Sequence, residues 1–375
     1  MTHIVIIGSG FAGCSAVRAL RANGHKGKIT LVSPQAELFY FPSLIWVASG
    51  QRQESDLRIN LHAFFDQHHV DHCAARVTGL DKNENRLSTS AGDIDYDFLI
   101  IASGGRYLRK LPGIEHSFIA CSGWQDTHAW ASRLNKLKQG KLAFGFAGNP
   151  KEPSAMRGGP VFEFLFGTDT WLRQQGRRDD FELHFFSPAP RPGARMGEKA
   201  VDKLLGEMGK REIQTHLGHK MKSIDENSIT TEGETFASDL TLFIPGMTGP
   251  DWASDSGLNL SDGGFFKADE YGRATDCDNI YIAGDAGSFP GPDWKPKQAH
   301  MADLQAAACA RNIIERIKGN ADRHQFKTEL ICIVDSLTDG ILVYRDDNRA
   351  IQFKGKPFHW AKSFFEWNYL RPYRR

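Results

Sequence analysis

The sequence predicts an α/β fold: two parallel-sheet units with crossover helices, followed by a small α+β region at the C-terminus. Three observations carry that prediction. Short aliphatic runs alternate with helical patterns through most of the 375 residues, as they do when parallel strands are joined by helices. A glycine-rich turn, Gly8-Ser9-Gly10-Phe11-Ala12-Gly13, stands directly between the first strand and the first helix. A late apolar strand, Asn279 to Asp285, ends in a second glycine turn.

Ile4 to Ile7 reads as a buried strand, Cys14 to Ala22 as a helix, and Ile29 to Val32 as a second strand. Asp97 to Ala102 is another apolar strand, ending in Ser103-Gly104-Gly105. A second unit follows, with strands at Leu142 to Ala147, Leu183 to Phe186 and Leu240 to Pro245, and a helix from Val161 to Gln174. A helix from about Ala302 to Lys318 follows the late strand, then a strand-like hairpin from Ile331 to Phe353 and an aromatic, basic tail. The expected division is 1–112 and 268–324 for the first unit, 113–267 for the second, and 325–375 for the C-terminal region. No tandem repeat or low-complexity linker interrupts it.

Composition excludes several classes. Lys and Arg total 46 against 45 Asp and Glu, a formal charge of +1, so nothing draws the whole chain to nucleic acid. The six cysteines (Cys14, Cys73, Cys121, Cys277, Cys309, Cys332) include no CxxC pair, which argues against structural zinc, any other metal site, or a secreted disulfide framework. No apolar run is long enough to span a bilayer, and no export signal is expected before Ile4. The expected location is cytoplasmic, or peripheral to the inner membrane.

Residues 8–13 fit GxGxxG in the strand-turn-helix setting that gives the pattern meaning. Gly8 permits the tight turn, Gly10 lets backbone approach a pyrophosphate, and Gly13 lets helix and strand pack closely. Phosphate charge would then meet the helix N-terminus, at Phe11 and Ala12. An acid usually ends the second strand to bind ribose; here Ser33 stands there, which leaves FAD and NAD both open on this loop. The Gly284-Asp285 turn decides for FAD, because in two-domain flavoproteins such a carboxylate lies near the ribityl chain and pyrophosphate. The Ala102-Ser103-Gly104 turn is a third part of the same site. A helix N-cap is the plain alternative for Asp285. In the second unit the corresponding turn reads Gly148-Asn149-Pro150-Lys151-Glu152-Pro153. Its prolines remove backbone donors that a nucleotide phosphate would need. The fold class is therefore two Rossmann-like domains with one cofactor, FAD.

On Gly8 to Gly13, Phe39 to Val47, Tyr96 to Gly104, Gly159 to Phe164, Ile280 to Asp285 and Gly355 to Arg371, the chain resembles the sulfide:quinone oxidoreductase and flavocytochrome c sulfide dehydrogenase family. The resemblance implies electron transfer from a reduced sulfur donor through thiols and FAD to a quinone. It adds Pro42 and Lys297 to the cofactor-binding residues, with Lys297 supplying a cation near the flavin. It places the later active cysteine at Cys332 and a further one at Cys121. The other active cysteine falls six residues before Glu163, where this chain has Arg157.

Three readings follow. Cys121 and Cys332 form a substitute pair; or Cys332 works alone, with Arg157 steadying its thiolate or an anionic donor; or sulfur chemistry is lost. An inert core cysteine is the plain alternative for Cys332. A type II NADH:quinone-like oxidoreductase and a non-catalytic flavin sensor are the rival functions.

The tail, Phe358 to Leu370, is dense in aromatics and followed by Arg371, Arg374 and Arg375. Helical spacing groups Phe358, Ala361, Phe365 and Tyr369 on one face, suited to a membrane headgroup region or to packing on the protein. Peripheral membrane association is the expectation. The sequence leaves oligomeric state open, a homo-oligomer included.

Overall fold

The computed structural model describes residues 1–374; Arg375, one of the expected tail cations, lies outside them. Two parallel five-stranded sheets form the frame. The first has the order Ile280–Ile282, Phe98–Ile101, His3–Ile7, Lys28–Ser33, Val70–Ala74. The second has the order Ser117–Phe118, Leu240–Ile244, Gly140–Phe146, Phe181–Ser187, Gln214–Leu217. Central strands covered on both faces carry unbroken apolar runs rather than alternating ones. Accordingly Ile4, Val5, Ile6, Leu99, Ile280 and Ile282 are fully buried.

The late strand pairs with Phe98–Ile101, Ile282 opposite Ile101. The chain therefore leaves the first sheet, builds the second and comes back. That return sets the Gly284-Asp285 turn beside the glycine loop: a Cβ added to Gly284 would lie 3.2 Å from Ala12 Cβ and 3.4 Å from Ala302 Cβ. The first helix runs Phe11–Ala22 and the helix after the late strand Ala299–Ile317. Each starts earlier than its apolar pattern alone indicates.

The C-terminal region is a three-stranded antiparallel meander, Leu330–Asp335, Gly340–Arg345, Ala350–Gly355, followed by the terminal helix Lys356–Leu370. Pro357 sits in the first turn of that helix, where its missing N–H has no intrahelical acceptor to serve. The helix is amphipathic in an inverted sense. Trp360, Phe364, Phe365 and Trp367 are 70%, 59%, 54% and 53% exposed, while Glu366 is 4% exposed. The face expected from spacing is thus corrected: Tyr369 points inward, but Phe365 points out. The inward positions belong to His359, Lys362 and Glu366, each paired with a partner on the body of the protein. His359 Nδ1 lies 2.7 Å from Asp335 Oδ2, Lys362 donates to Glu163, and Glu366 accepts from Ser43 Oγ at 2.7 Å and Arg52 Nε at 2.9 Å.

Candidate active site

The glycine loop has the form a pyrophosphate requires. Gly8 has φ +104°, and a Cβ there would lie 2.4 Å from Ala102 O. A Cβ on Gly13 would lie 1.9 Å from Gly8 O, whereas one on Gly10 would meet nothing within 4 Å. The first intrahelical bond runs from Cys14 N–H to Gly10 O at 3.0 Å, so the amides ahead of it have no helical acceptor. They face the space that Gly10 leaves open. In the turn packed against Gly8, Gly104 has φ +71°, and the Ser103 hydroxyl, a buried atom, has no partner among the described residues. An orphaned buried hydroxyl beside free helix amides fits a polar ligand. The residues present therefore fit FAD at Gly8, Gly10, Phe11, Ala12, Gly13, Ala102, Ser103, Gly104 and Gly284.

Ser33, Lys297, Pro42 and Asp285 are the four further expected contacts. Ser33 is 4% exposed, its hydroxyl donating to Gln35 O at 2.7 Å and lying 3.0 Å from His72 Nε2. Its hydroxyl is thus engaged within the protein. Lys297 Nζ donates to Gly287 O at 2.7 Å and Asp285 O at 3.2 Å, and sits 4.0 Å over the Phe265 ring. Burial pulls its pKa down to about 8, against the opposing pull of Asp285 and Glu152. Pro42 lies in the short 3-10 turn Phe41–Trp46, which brings Ser43 and Trp46 under the terminal helix. Asp285 sits in its own 3-10 turn, Gly284–Ala286, and caps no following helix.

Arg157 pairs with Asp285 and lies beside Cys121 and Tyr107. Burial opposes its charge, but Asp285, Tyr107 and Cys121 outweigh that and hold it protonated. The Cys332 thiol has other charged neighbours, Glu163 and Lys362. Arg157→Met is expected to leave Asp285 without its counter-charge and to cost about 2–4 kcal/mol of stability. Urea unfolding of the apoprotein measures it, with Arg157→Lys recovering part of the loss.

All six cysteines are free. Close packing around the sulfur and the adjacent Glu163 push the Cys332 thiol up to about 12, with Lys362 opposing. Burial likewise pushes Cys121 up to about 12, despite Arg157. Neither is a resting thiolate at neutral pH, so reactivity needs a base. Glu163 is the carboxyl neighbouring Cys332. It is 5% exposed on the helix Gly159–Gln174, and Cys332 Sγ lies 3.7 Å from where a Gly159 Cβ would be. Burial pushes its carboxyl up to about 7, with Lys362 and the Asp335 N–H (3.0 Å) holding it from going further. A carboxyl with a pKa near the working pH is suited to proton transfer.

The sequence alone assigns no chemical role to Glu163, Lys362, His359 or Asp335, although Glu163 lies in the segment that carries the resemblance and the tail contains His359 and Lys362. The available signals were an acid inside Val161-Phe162-Glu163-Phe164-Leu165-Phe166, and polar groups at 359, 362 and 366 in an aromatic helix.

In the second unit, residues 147–158 intervene between the strand Gly140–Phe146 and its helix, and they fold back on themselves. Asn149 is buried and donates to Met247 O at 2.8 Å, while Glu152 N–H reaches Asn149 O at 3.1 Å. A Cβ on Gly246 would lie 2.5 Å from Asn149 N and Gly148 C, so two strand-end loops are in backbone contact there. The protein's own chain fills the end of this strand.

Residues 2–144 and 171–306 match the family described as pyridine nucleotide-disulphide oxidoreductase. Sulfide-quinone reductase of Aquifex aeolicus is 24% identical, over 98% of this chain and 90% of its own length. An NADH dehydrogenase-like protein of Mycobacterium tuberculosis is 27% identical, over 76% of this chain and 72% of its own. The crystal structure of sulfide:quinone oxidoreductase from Aquifex aeolicus superposes with a TM-score of 0.92 at 24% identity, covering 100% of this chain and 92% of that one. That likeness establishes the fold.

Proposed function

The chain belongs to the pyridine nucleotide-disulphide oxidoreductase family and is an FAD-dependent oxidoreductase, and we propose that it passes two electrons from an anionic reduced sulfur compound to a quinone. The observation that carries this reading is the Cys332, Glu163 and Lys362 group, set where the meander, the helix Gly159–Gln174 and the terminal helix meet. When bound, the flavin supplies a two-electron carrier between donor and acceptor.

The chain's own residues supply protons, charge and position. Glu163 takes the proton from the Cys332 thiol, and Lys362 steadies the carboxylate before and the pair after. The resulting thiolate bonds to the donor's sulfur only as two electrons leave the pair, for which the flavin, when bound, would be the oxidant. Arg157 neutralises Asp285, so an anionic donor can approach Cys121 and Tyr107 without meeting an uncompensated carboxylate. Two electrons leave the thiolate and the donor together and arrive on the quinone, accompanied by the proton that Glu163 took and one proton from solvent. Because the residue at 157 is an arginine, the reading uses Cys332 as a single essential thiol. The closed loop at 147–158 weighs against a nicotinamide donor, and reoxidation tests the acceptor side: the reduced protein should be reoxidised by a short-chain quinone and not by NAD. Reoxidation by NAD would remove the quinone from the reading.

Proton transfer to Glu163 gives a pH dependence with a definite sign. The base form grows as pH rises through about 7, so thiol-dependent flavin reduction should rise over that interval. Glu163→Gln should flatten the rise and slow the reaction by roughly 10²-fold, read by stopped-flow absorbance.

No helix among the described residues is long and apolar enough to cross a membrane. The outward face of the terminal helix, with Ile351 and Phe353 of the preceding strand also exposed, instead supports peripheral docking on a lipid surface. Lys354, Lys356, Arg371 and Arg374 flank it, in the manner of interfacial helices. Replacing Trp360 and Phe364 together by serine should lower co-sedimentation with mixed zwitterionic and anionic vesicles by roughly tenfold or more. Unchanged binding would remove the docking surface from the reading.

A further inference from the structure

The last turn of the terminal helix reaches past the thiols to the back of the dinucleotide site. Leu370 and Tyr373 are 0% and 1% exposed, in one core cluster with Ala12, Cys14, Ala16 and Val17 of the glycine-loop helix and Ala302 and Ala306 of the helix after the late strand. Phe11, inside the glycine motif itself, has its ring 5.3 Å from Tyr369 and 5.9 Å from Tyr40, and the two tyrosines are 5.8 Å apart. Behind the rings, Tyr369 OH donates to Asp303 Oδ1 at 3.1 Å and Ser15 Oγ donates to the same oxygen at 2.5 Å. Asp303 thus joins the terminal helix to both helices that border the loop. Arg374 closes the end by donating to Asp56 O at 2.6 Å.

The loop has little local support of its own. Gly10 caps the helix without a side chain, and no acid stands in its first turn. Phe11 is an apolar residue that would lie open to water without its ring partners. We infer that Tyr369, with Asp303 and Tyr373, forms a strap that holds the glycine loop in its FAD-binding shape from behind, so that seating of the terminal helix controls how long FAD is retained. Tyr369 acts through Phe11 and Ser15 and is a positioning residue. The inference rests on FAD binding at the glycine loop and is independent of which donor or acceptor is used.

The test follows release of FAD from the full-length, FAD-loaded protein after dilution, by the growth of free-flavin fluorescence, together with melting temperatures of the apo and loaded forms. Tyr369→Ala should speed release by roughly tenfold, the scale of losing a packed aromatic cluster. Tyr369→Phe, which keeps the ring, should recover most of the retention. Trp360→Ala, on the outward face of the same helix, should release FAD at the unaltered rate. A role in folding alone would lower both melting temperatures equally; the strap predicts that the gap between them narrows in Tyr369→Ala. Release at the wild-type rate in Tyr369→Ala, or equal acceleration in Trp360→Ala, would overturn the inference.

Discussion

Cys332→Ser is expected to slow flavin reduction by sulfide by roughly 10³-fold or more, the scale of losing a reacting nucleophile, while FAD stays bound. The two effects separate because the sulfur lies against Glu163 and Gly159, and none of the loops that fit the dinucleotide includes it. Serine nearly matches the cysteine in size, so packing in the meander survives. Its hydroxyl is a far weaker acid than the thiol, so proton transfer to the Glu163 carboxyl is much further uphill. Cys121→Ser should keep most of the rate. Its thiol is 6% exposed and pushed up by burial, and its charged neighbour Arg157 is already engaged with Asp285. A large loss in both variants would mean that the two thiols act as a pair, and the single-thiol account would fall. Anaerobic stopped-flow absorbance at the flavin band reads both.

The second large effect divides the glycines of the first loop. Gly13→Ala places a methyl 1.9 Å from the carbonyl oxygen of Gly8, backbone against backbone, and relief requires the helix to leave the strand. FAD affinity should fall by roughly 10²-fold or more, and the apoprotein should lose stability as well. Gly10→Ala meets no protein atom within 4 Å, and Gly10 has φ −75°, open to any residue. The apoprotein should therefore melt at its usual temperature and still bind FAD at least roughly tenfold more weakly, because the methyl stands in front of the helix amides. Flavin fluorescence titration of the apoproteins measures both. Equal loss of apo stability in the two variants would show that the openness at Gly10 has no connection with a ligand.

What the sequence made legible follows from how local each signal is. The strands at 4–7, 29–32 and 280–282 are read from apolar runs because burial on both faces demands such runs. The glycine loop is read from three residues whose constraints lie within a few positions of one another. The place of Ser33 at the strand end is a matter of sequence, whereas its contact with His72, thirty-nine residues on, is not legible there. The Glu163 and Lys362 pair joins positions 199 apart, and no periodicity reports such a contact. The terminal helix was legible in part: its aromatics and flanking cations suit an outward, headgroup-facing surface, but no spacing rule shows which polar positions turn inward. Here His359, Lys362 and Glu366 find buried partners, and the aromatics are left outside.

Anaerobic titration of the oxidised, FAD-loaded protein with sulfide and, separately, with NADH tests the central claim most directly. The account predicts that sulfide bleaches the flavin absorbance and that NADH leaves it unchanged over the same interval. Bleaching by NADH with none by sulfide would contradict it.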